Sequence, residues 1–349
     1  MRKVLGIETS CDETAVAIVS EDGRILADCL LSQSEHIEFG GVVPEIAARA
    51  HLDSLDLLIE QSLIDSNLTI DDIDAIAVTA GPGLIGGVLV GVVTAKAIAA
   101  VNNKPIIAVN HLEGHALAAR LSEKIEFPYL LLLASGGHCQ LLIVEGVGNY
   151  KQLGTTLDDA LGECFDKCAK LLGLGYPGGP LVEKTAAECK DIKKAIEKYK
   201  LPQPMVGKDN LDFSFSGMKT AVKRIADTLP ETVDRNNAAD ICASFQYNVG
   251  EVIRDRVSRA IKEYKKLYPN HLAPALVVSG GVAANKFIRN ILEEESKKNN
   301  IEFKAPPIKF CTDNGVMIAW AGMEKFLLGH KDDIDFPTYP RWPLDKQGR

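Results

Sequence analysis

One succession of elements is written twice along this chain, and that repetition limits the fold more than any single motif. The first copy opens with three short β-type runs, Val4 to Ile7, Ala15 to Val19 and Ile25 to Cys29, with Asp22-Gly23 as a turn between the second and third. A helical pattern then runs from Pro44 to Ile64, with Pro in its first turn. A strand at Ala75 to Thr79, a tight turn at Gly81 to Gly83, a small-residue helix to Ala100 and a strand at Pro105 to Val109 follow. The second copy begins with strands at Tyr129 to Ser135, Gln140 to Glu145 and Tyr150 to Leu153, then a helix at Leu157 to Leu172. After an excursion it resumes with a helix at Ala238 to Tyr264, a strand at Ala275 to Ser279, a helix at Ala283 to Lys297, a strand at Ile301 to Lys304 and a last helix from Asp313 to Leu328. IAVTAGPG at 76–83 has its counterpart in LVVSGGVA at 276–283. Two long copies, each able to hold a core, imply a duplicated α/β unit and exclude a solenoid.

A length of 349 residues suits two domains. The expected division is 1–110 with 325–349, and 111–324 carrying an insertion at 173–235; the closing YPRWPLD is expected to pack back across the first domain. With 46% hydrophobic and 25% charged residues, the chain is neither disordered nor collagenous. Its 39 basic and 47 acidic side chains, net −8, argue against a general nucleic-acid coat, which needs basic surface to displace counterions. The eight cysteines include no paired CxxC zinc pattern and read as small apolar residues of a reducing compartment. MRKVLGIETS turns polar too soon for a signal peptide, and AGPGLIGGVLVGVVTAKAIAA, with Pro82 and Lys96, reads as a buried helix of an α/β layer. A soluble, cytoplasmic protein without a membrane association is expected.

Several residue groups have the makings of chemistry. Ala134-Ser135-Gly136-Gly137-His138 and Ser279-Gly280-Gly281, the latter leading to Asn285, both end apolar strands in small residues. Such turns admit a ligand close to the backbone and can present free amides to an anion, although either could be a plain structural turn. Their places in the two copies suggest two turns facing each other across a nucleotide cleft. Neither is a Walker A or GxGxxG loop. HLEGH at 111–115 places two imidazoles at i and i+4, on one helical face, where they can grip one ion or merely pack. It lacks the HExxH order of zinc peptidases. Asp313, before the last helix, is the best further ligand, though it could be only a cap. Glu8-Thr9-Ser10-Cys11-Asp12-Glu13-Thr14 is a dense polar cluster leaving a buried strand, suited to steering water or a metal-bound phosphate, or else an Asx turn. Cys11 has no histidine near it in sequence and is a poor nucleophile candidate. The insertion concentrates positive charge, from Lys190 to Arg224.

Ten ordered motifs carry a resemblance: GIETSCDET, GGVVPE, TAGPGL, NHLEGH, SGGH, GECFDK, LGLGYPGGP, LDFSFSGMKT, SGGVAANK and CTDNG, spanning residues 6–315. On these the chain resembles the universal tRNA N6-adenosine threonylcarbamoyltransferase family, formerly called O-sialoglycoprotein endopeptidases. Leu133 and His138 stand where the archaeal and eukaryotic branch has Tyr and Asn, so the bacterial or mitochondrial branch fits best and a Tyr ligand is missing. The resemblance implies the actin/Hsp70/sugar-kinase-like (ASKHA) fold, two duplicated ribonuclease H-like domains. It implies transfer of the threonylcarbamoyl group of L-threonylcarbamoyladenylate to N6 of adenosine 37 in tRNAs reading codons that begin with A, with release of AMP. His111, His115 and Asp313 match the family's metal ligands, for iron, Fe(2+), with zinc, Zn(2+), as the other candidate. Ala134, Ser135, Gly136, Gly137, His138, Asp166, Gly179, Glu183 and Asn285 fall on its substrate-binding positions, and Asp12 and Glu13 on its acidic loop, as catalytic candidates. It further implies a paralogous inactive partner (TsaB) and a small ATPase (TsaE) for a bacterial member, or a homodimer for a mitochondrial-type one. A sugar or acetate kinase would share the fold but yield ADP and a phosphorylated small molecule. The old glycoprotease reading would rest on the histidine pair alone.

Overall fold

A computed structural model describes residues 1–33, 36, 41–229 and 234–346. Gly40 of GGVVPE, residues 230–233 of the insertion and the terminal 347–349 lie outside the described residues. The chain divides into two compact units.

The first unit comprises 1–125, 145–150 and 312–349. Its strands are β1 (Lys3–Glu8), β2 (Glu13–Ser20), β3 (Ile25–Ser32), β4 (Ala75–Gly81) and β5 (Ile106–Asn110), in the order β3-β2-β1-β4-β5. β1 runs antiparallel to β2 and parallel to β4, which is parallel to β5. Helices α1 (Pro44–Ser66) and α2 (Ile85–Val101) pack on this sheet, as does the last helix of the chain, Gly315–Leu327. With both faces covered, β1 and β4 are buried almost throughout and read as continuous apolar runs. Gly6 is what lets the last helix sit there, since a Cβ at Gly6 would stand 2.3 Å from the Ala319 nitrogen. α3 (His111–Ser122) starts where β5 ends. The C-terminal segment returns along the same unit: the Tyr339 amide donates to the Ala80 carbonyl (2.7 Å) and Asn110 Nδ2 to the Trp342 carbonyl (2.9 Å).

The second unit comprises 126–144 and 151–311. Its sheet, β6 (Tyr129–Ala134), β7 (Cys139–Gly146), β8 (Asn149–Thr155), β9 (Ala275–Ser279) and β10 (Glu302–Lys304), has the order β10-β9-β6-β7-β8. Strand for strand this repeats the first sheet. Around it lie α4 (Leu161–Leu171), α5 (Gly178–Ala186), α6 (Ile192–Lys198), α7 (Ser216–Ala226), α8 (Arg235–Leu267) and α9 (Lys286–Lys298). The helix Gly315–Leu327 is therefore α10. The inserted segment thus supplies α5, α6 and α7, not a structureless loop.

Two expectations shift. Residues 111–125, 145–150 and 312–324 group with the first unit, not the second; for the last of these, α10 packs on β1, β2, β4 and α3. α2 is also not buried all round: Ile85, Leu89 and Val93 are exposed, a stripe at i, i+4, i+8. Among the described residues no helix is long and apolar enough to cross a membrane.

α7 opens on a capping arrangement supplied from outside it. The Asp158 carboxylate accepts from the amides of Phe215 (2.7 Å) and Ser216 (3.2 Å) and from the hydroxyls of Ser214 and Ser216. Burial opposes the charge on Asp158, but these donors outweigh it and hold its pKa below the ordinary 3.8. A depressed folded-state value gives stability that is present above the unfolded pKa and lost as pH falls through the folded one. Amide protection in α7, followed by hydrogen exchange, is therefore expected to drop selectively below pH 3.8. Asp158→Ala should reproduce the loss at neutral pH, at a cost of about 1 kcal/mol; unchanged α7 protection in that variant would remove the assignment.

Candidate active site and metal centre

Local rules place the two histidines. Asn110 caps α3, its Oδ1 accepting the Leu112 amide (2.9 Å), so the helix begins at His111 and His115 follows one turn later on the same face. Asp313 arrives from a distant part of the sequence. Asn314 caps α10 by accepting the Met317 amide (2.8 Å), and Gly114 admits Met317 and Ile318 against α3. The residue preceding that cap then meets the histidines. Asp313 Oδ1 lies 3.0 Å from His115 Nε2 and 3.5 Å from His111 Nε2, and the three donor atoms fall within 4.8 Å of one another.

The two imidazoles differ behind the site. His111 Nδ1 is 3.0 Å from Glu8 Oε2 and 3.1 Å from Ser10 Oγ, whereas His115 Nδ1 is buried with no hydrogen-bond partner among the described residues. Burial disfavours charge on His111, but Asp313 and then Glu8 outweigh it and raise its pKa to about 9. Glu13 is pushed up to about 9 by burial and by the negative charge of Asp313, Asp12 and Glu8. Two Nε2 atoms converging on one carboxylate oxygen, amid four acidic groups, fit a divalent ion held by two histidines and one carboxylate; that donor set suits iron(II) or zinc(II).

The acidic loop after β1 is held residue by residue. Thr9 Oγ1 donates to the Gly87 carbonyl (2.9 Å), the Leu84 amide to the Ser10 carbonyl (2.8 Å) and the Gln33 amide to the Asp12 carbonyl (3.1 Å). His51, fully buried on α1, donates from Nε2 to the Cys11 carbonyl (3.0 Å) and accepts from Thr14 Oγ1 at Nδ1 (2.8 Å). Burial lowers the pKa of His51, in keeping with a neutral ring in that role. The Cys11 thiol is driven far up by burial and by Asp12 and Asp313, and stays protonated. Sequence reading took Glu8 only as one member of the polar cluster after the first strand and gave His51 no role. The only trace of His51 was its place on the buried α1 face with Ala47, Ser54 and Leu55.

The expected substrate positions all fall in the second unit. After β6, the Ser135 amide donates to the His138 carbonyl (2.8 Å), closing a turn; Gly136 and Gly137 have open space where a Cβ would be. The Gly162 and Glu163 amides, at the start of α4, donate to the Ser135 and Gly136 carbonyls. Gly280, at φ +95°, lies so near that a Cβ there would be 2.4 Å from the Ala134 carbonyl oxygen. The two glycine turns are thus neighbours within one unit, not opposed across a cleft: β6 and β9 pair in parallel, Leu133 opposite Ser279, and both turn at the same end of the sheet. The partner of the 135–138 turn in the duplication is the acidic loop after β1. Asp166 accepts the Gly178 amide (2.7 Å), which sets the start of α5 and Gly179 beside α4. Glu183 accepts the Lys286 amide (2.7 Å), and Asn285 caps α9 through the Ile288 amide (3.0 Å) while donating to Gln246 (3.1 Å). Three helix starts and two glycine turns therefore share one region, in which the amides of Gly162, Glu163, Gly178, Lys286 and Ile288 are already taken by protein acceptors.

A family model described as TsaD, tRNA N6-adenosine threonylcarbamoyltransferase, matches residues 24–320. The tRNA N6-adenosine threonylcarbamoyltransferase of Brucella canis is 54% identical over 350 aligned positions, covering 99% of this chain and 96% of that protein. The chain belongs to this family. The Brucella anthropi transferase is 53% identical with the same coverage. Among solved structures, HypF of T. kodakarensis has a TM-score of 0.59 at 14% identity, covering 94% of this chain and 48% of that one. Component A of the Acidaminococcus fermentans (R)-2-hydroxyglutaryl-CoA dehydratase has 0.51 at 16%, covering 93% and 99%. At such identities these two speak to the fold alone, which is the actin/Hsp70/sugar-kinase-like one. The zinc peptidase reading finds no support in the transferase's own geometry, because the Glu of HLEGH points elsewhere: Glu113 accepts from the Gly148 amide, the Tyr150 hydroxyl and Lys325 Nζ.

Proposed function

We propose that this chain transfers the threonylcarbamoyl group of L-threonylcarbamoyladenylate to N6 of adenosine 37 in tRNAs reading codons that begin with A. The observation that carries it is the convergence of His111, His115 and Asp313 in a chain 54% identical, nearly end to end, to transferases of that name. The N6 lone pair attacks the carbamoyl carbon, the bond from that carbon to the phosphate oxygen breaks, AMP leaves with the electron pair, and N6 gives up a proton. His111, His115 and Asp313 would hold a divalent ion, iron(II) or zinc(II), which would supply Lewis acidity toward a donor oxygen. The turns carrying Ala134, Ser135, Gly136, Gly137 and His138, and Gly280 and Gly281, border the place of the adenylate phosphate, with the glycine amides as the candidates to meet the charge that develops on it. Asp166, Gly179, Glu183 and Asn285 line the same region and shape the place of the nucleoside. Of the two acids on the first-strand loop, Asp12 is the candidate to accept the N6 proton. Glu13, whose pKa is pushed up by burial and by the negative charge of Asp313, Asp12 and Glu8, is the less suited of the two to act as the base.

The acceptor needs a basic strip. On α6 and at the start of α8 the positive charges are partly spent, Lys194 on Asp191 and Arg235 on Glu188, whereas Lys219, Lys223 and Arg224 of α7 have no ion pair among the described residues. That favours α7 as a tRNA contact. The exposed stripe Ile85, Leu89 and Val93, with Leu52 exposed on the adjoining α1, supports association with the paralogous inactive partner TsaB or with a second copy, and TsaE would be the accompanying small ATPase. The setting of this reading is cytoplasmic.

The decisive assay incubates the purified chain with tRNA and threonylcarbamoyladenylate, with and without the partner proteins, and follows AMP and the nucleoside at position 37. AMP matched to modified adenosine is expected; ADP with a phosphorylated small molecule would assign a kinase instead. In the same assay Lys219→Glu, Lys223→Glu and Arg224→Glu should weaken tRNA binding and lower the slope of log affinity against log salt by about 0.7–0.9 per lost phosphate contact. Unchanged affinity would move the tRNA path off α7.

A further inference from the structure

Glu8 is completely buried at the end of β1, and it accepts from the Ser10 amide and the Thr79 hydroxyl. Its Oε1 takes the Ser10 amide (2.6 Å); its Oε2 takes the Thr79 hydroxyl and faces His111 Nδ1 at 3.0 Å. An ionised carboxylate has no proton to give, so each of these three neighbours must turn a hydrogen toward it. We infer that Glu8 is a positioning residue that keeps the proton of His111 on Nδ1 and so reserves the Nε2 lone pair for an ion shared with His115 and Asp313. The inference rests on the metal reading of that site and adds to it the device that orients one ligand. It also fits an asymmetry: among the described residues His115 Nδ1 has no hydrogen-bond partner, whereas His111 Nδ1 faces Glu8.

The neutral amide is the discriminating substitution. In Glu8→Gln the side chain keeps its size but has one acceptor end and one donor end. If the carbonyl oxygen stays on the Ser10 amide, the NH2 faces His111 Nδ1 and makes it an acceptor. The ring proton then moves to Nε2, where it points at Asp313 and blocks coordination. If the amide flips, its NH2 opposes the Ser10 amide, donor against donor, inside a buried site. Both arrangements penalise the ligating tautomer. Thr79→Val is the control, since it deletes a donor to Glu8 but leaves the acceptor in front of His111.

The experiment uses the full chain and zinc(II) as the probe. Affinity is measured by chelator competition, and the site is read separately by nitrogen-15 NMR of histidine-labelled, zinc-loaded wild-type protein. Zinc affinity should fall about 10- to 100-fold in Glu8→Gln and stay near wild type in Thr79→Val. In the wild-type spectrum His111 should carry its proton on Nδ1 and bind zinc through Nε2. Wild-type affinity in a folded Glu8→Gln, or ligation through His111 Nδ1, would overturn the inference. The spectrum needs no variant, so a misfolded Glu8→Gln does not weaken the test. Failure of wild-type protein to take up zinc(II) or iron(II) would instead strike the metal reading, and this inference with it.

Discussion

Replacing His111 with alanine is expected to abolish threonylcarbamoyl transfer while leaving a folded protein. His111 is one of only two nitrogen ligands in the cluster, and its removal leaves Asp313 and His115 to hold an ion alone. A Lewis acid at a reacting carbonyl accounts for several kcal/mol of barrier, so a loss of roughly a thousand-fold or more follows. The bound metal, counted by plasma emission on the purified protein, should fall with the activity. Glu8 would then be a buried carboxylate without its imidazole, which costs some stability, yet Ser10 and Thr79 still donate to it. The far-ultraviolet spectrum and a cooperative melt should therefore persist. A variant that keeps both metal and turnover would remove this cluster from the chemistry.

The second large effect concerns stability. Glu113 sits between the two histidines in sequence, yet its carboxylate is fully buried on the opposite errand. It accepts from the Gly148 amide and the Tyr150 hydroxyl, both at 2.9 Å, and pairs with the largely buried Lys325 at 3.2 Å. Removing one partner of a buried ion pair leaves the other charge uncompensated, so Glu113→Ala should cost about 3–5 kcal/mol. Units of this size lose about 2–4 °C per kcal/mol, so the melting temperature is expected to drop by about 10 °C. The double variant Glu113→Gln with Lys325→Met should recover much of that loss, because the unpaired ammonium is gone. Zinc taken up per folded molecule should be unchanged, in contrast to His111→Ala. If Glu113→Ala instead melted like wild type and lost turnover, the Glu would belong to the chemistry after all.

The candidate site was legible to different depths. His111 and His115 could be paired from spacing alone, because a helix turns about 100° per residue and puts i and i+4 on one face. Asp313 could be nominated as the start of a helix, but its meeting with His115 spans 198 positions and depends on α10 lying against α3. The tie between Glu8 and His111 spans 103 positions and leaves no periodic trace. The glycine turns were correctly placed at strand ends. They were wrongly set against each other, because matching texts reveal equivalent positions in two copies and not which strands pair within one sheet.

Taken alone, the sequence determined the alternation of strands and helices, their duplication, and which residues share a face within each element. Those properties follow from backbone periods of 2 and 3.6, which are local. Only the tertiary structure decided that α10 joins the first unit, that Asp313 and Glu8 close on His111 from opposite sides, and that Glu113 turns away. These depend on close approach, such as α10 seated over the bare Cα of Gly6, and on burial that leaves each carboxylate only the partners packed beside it.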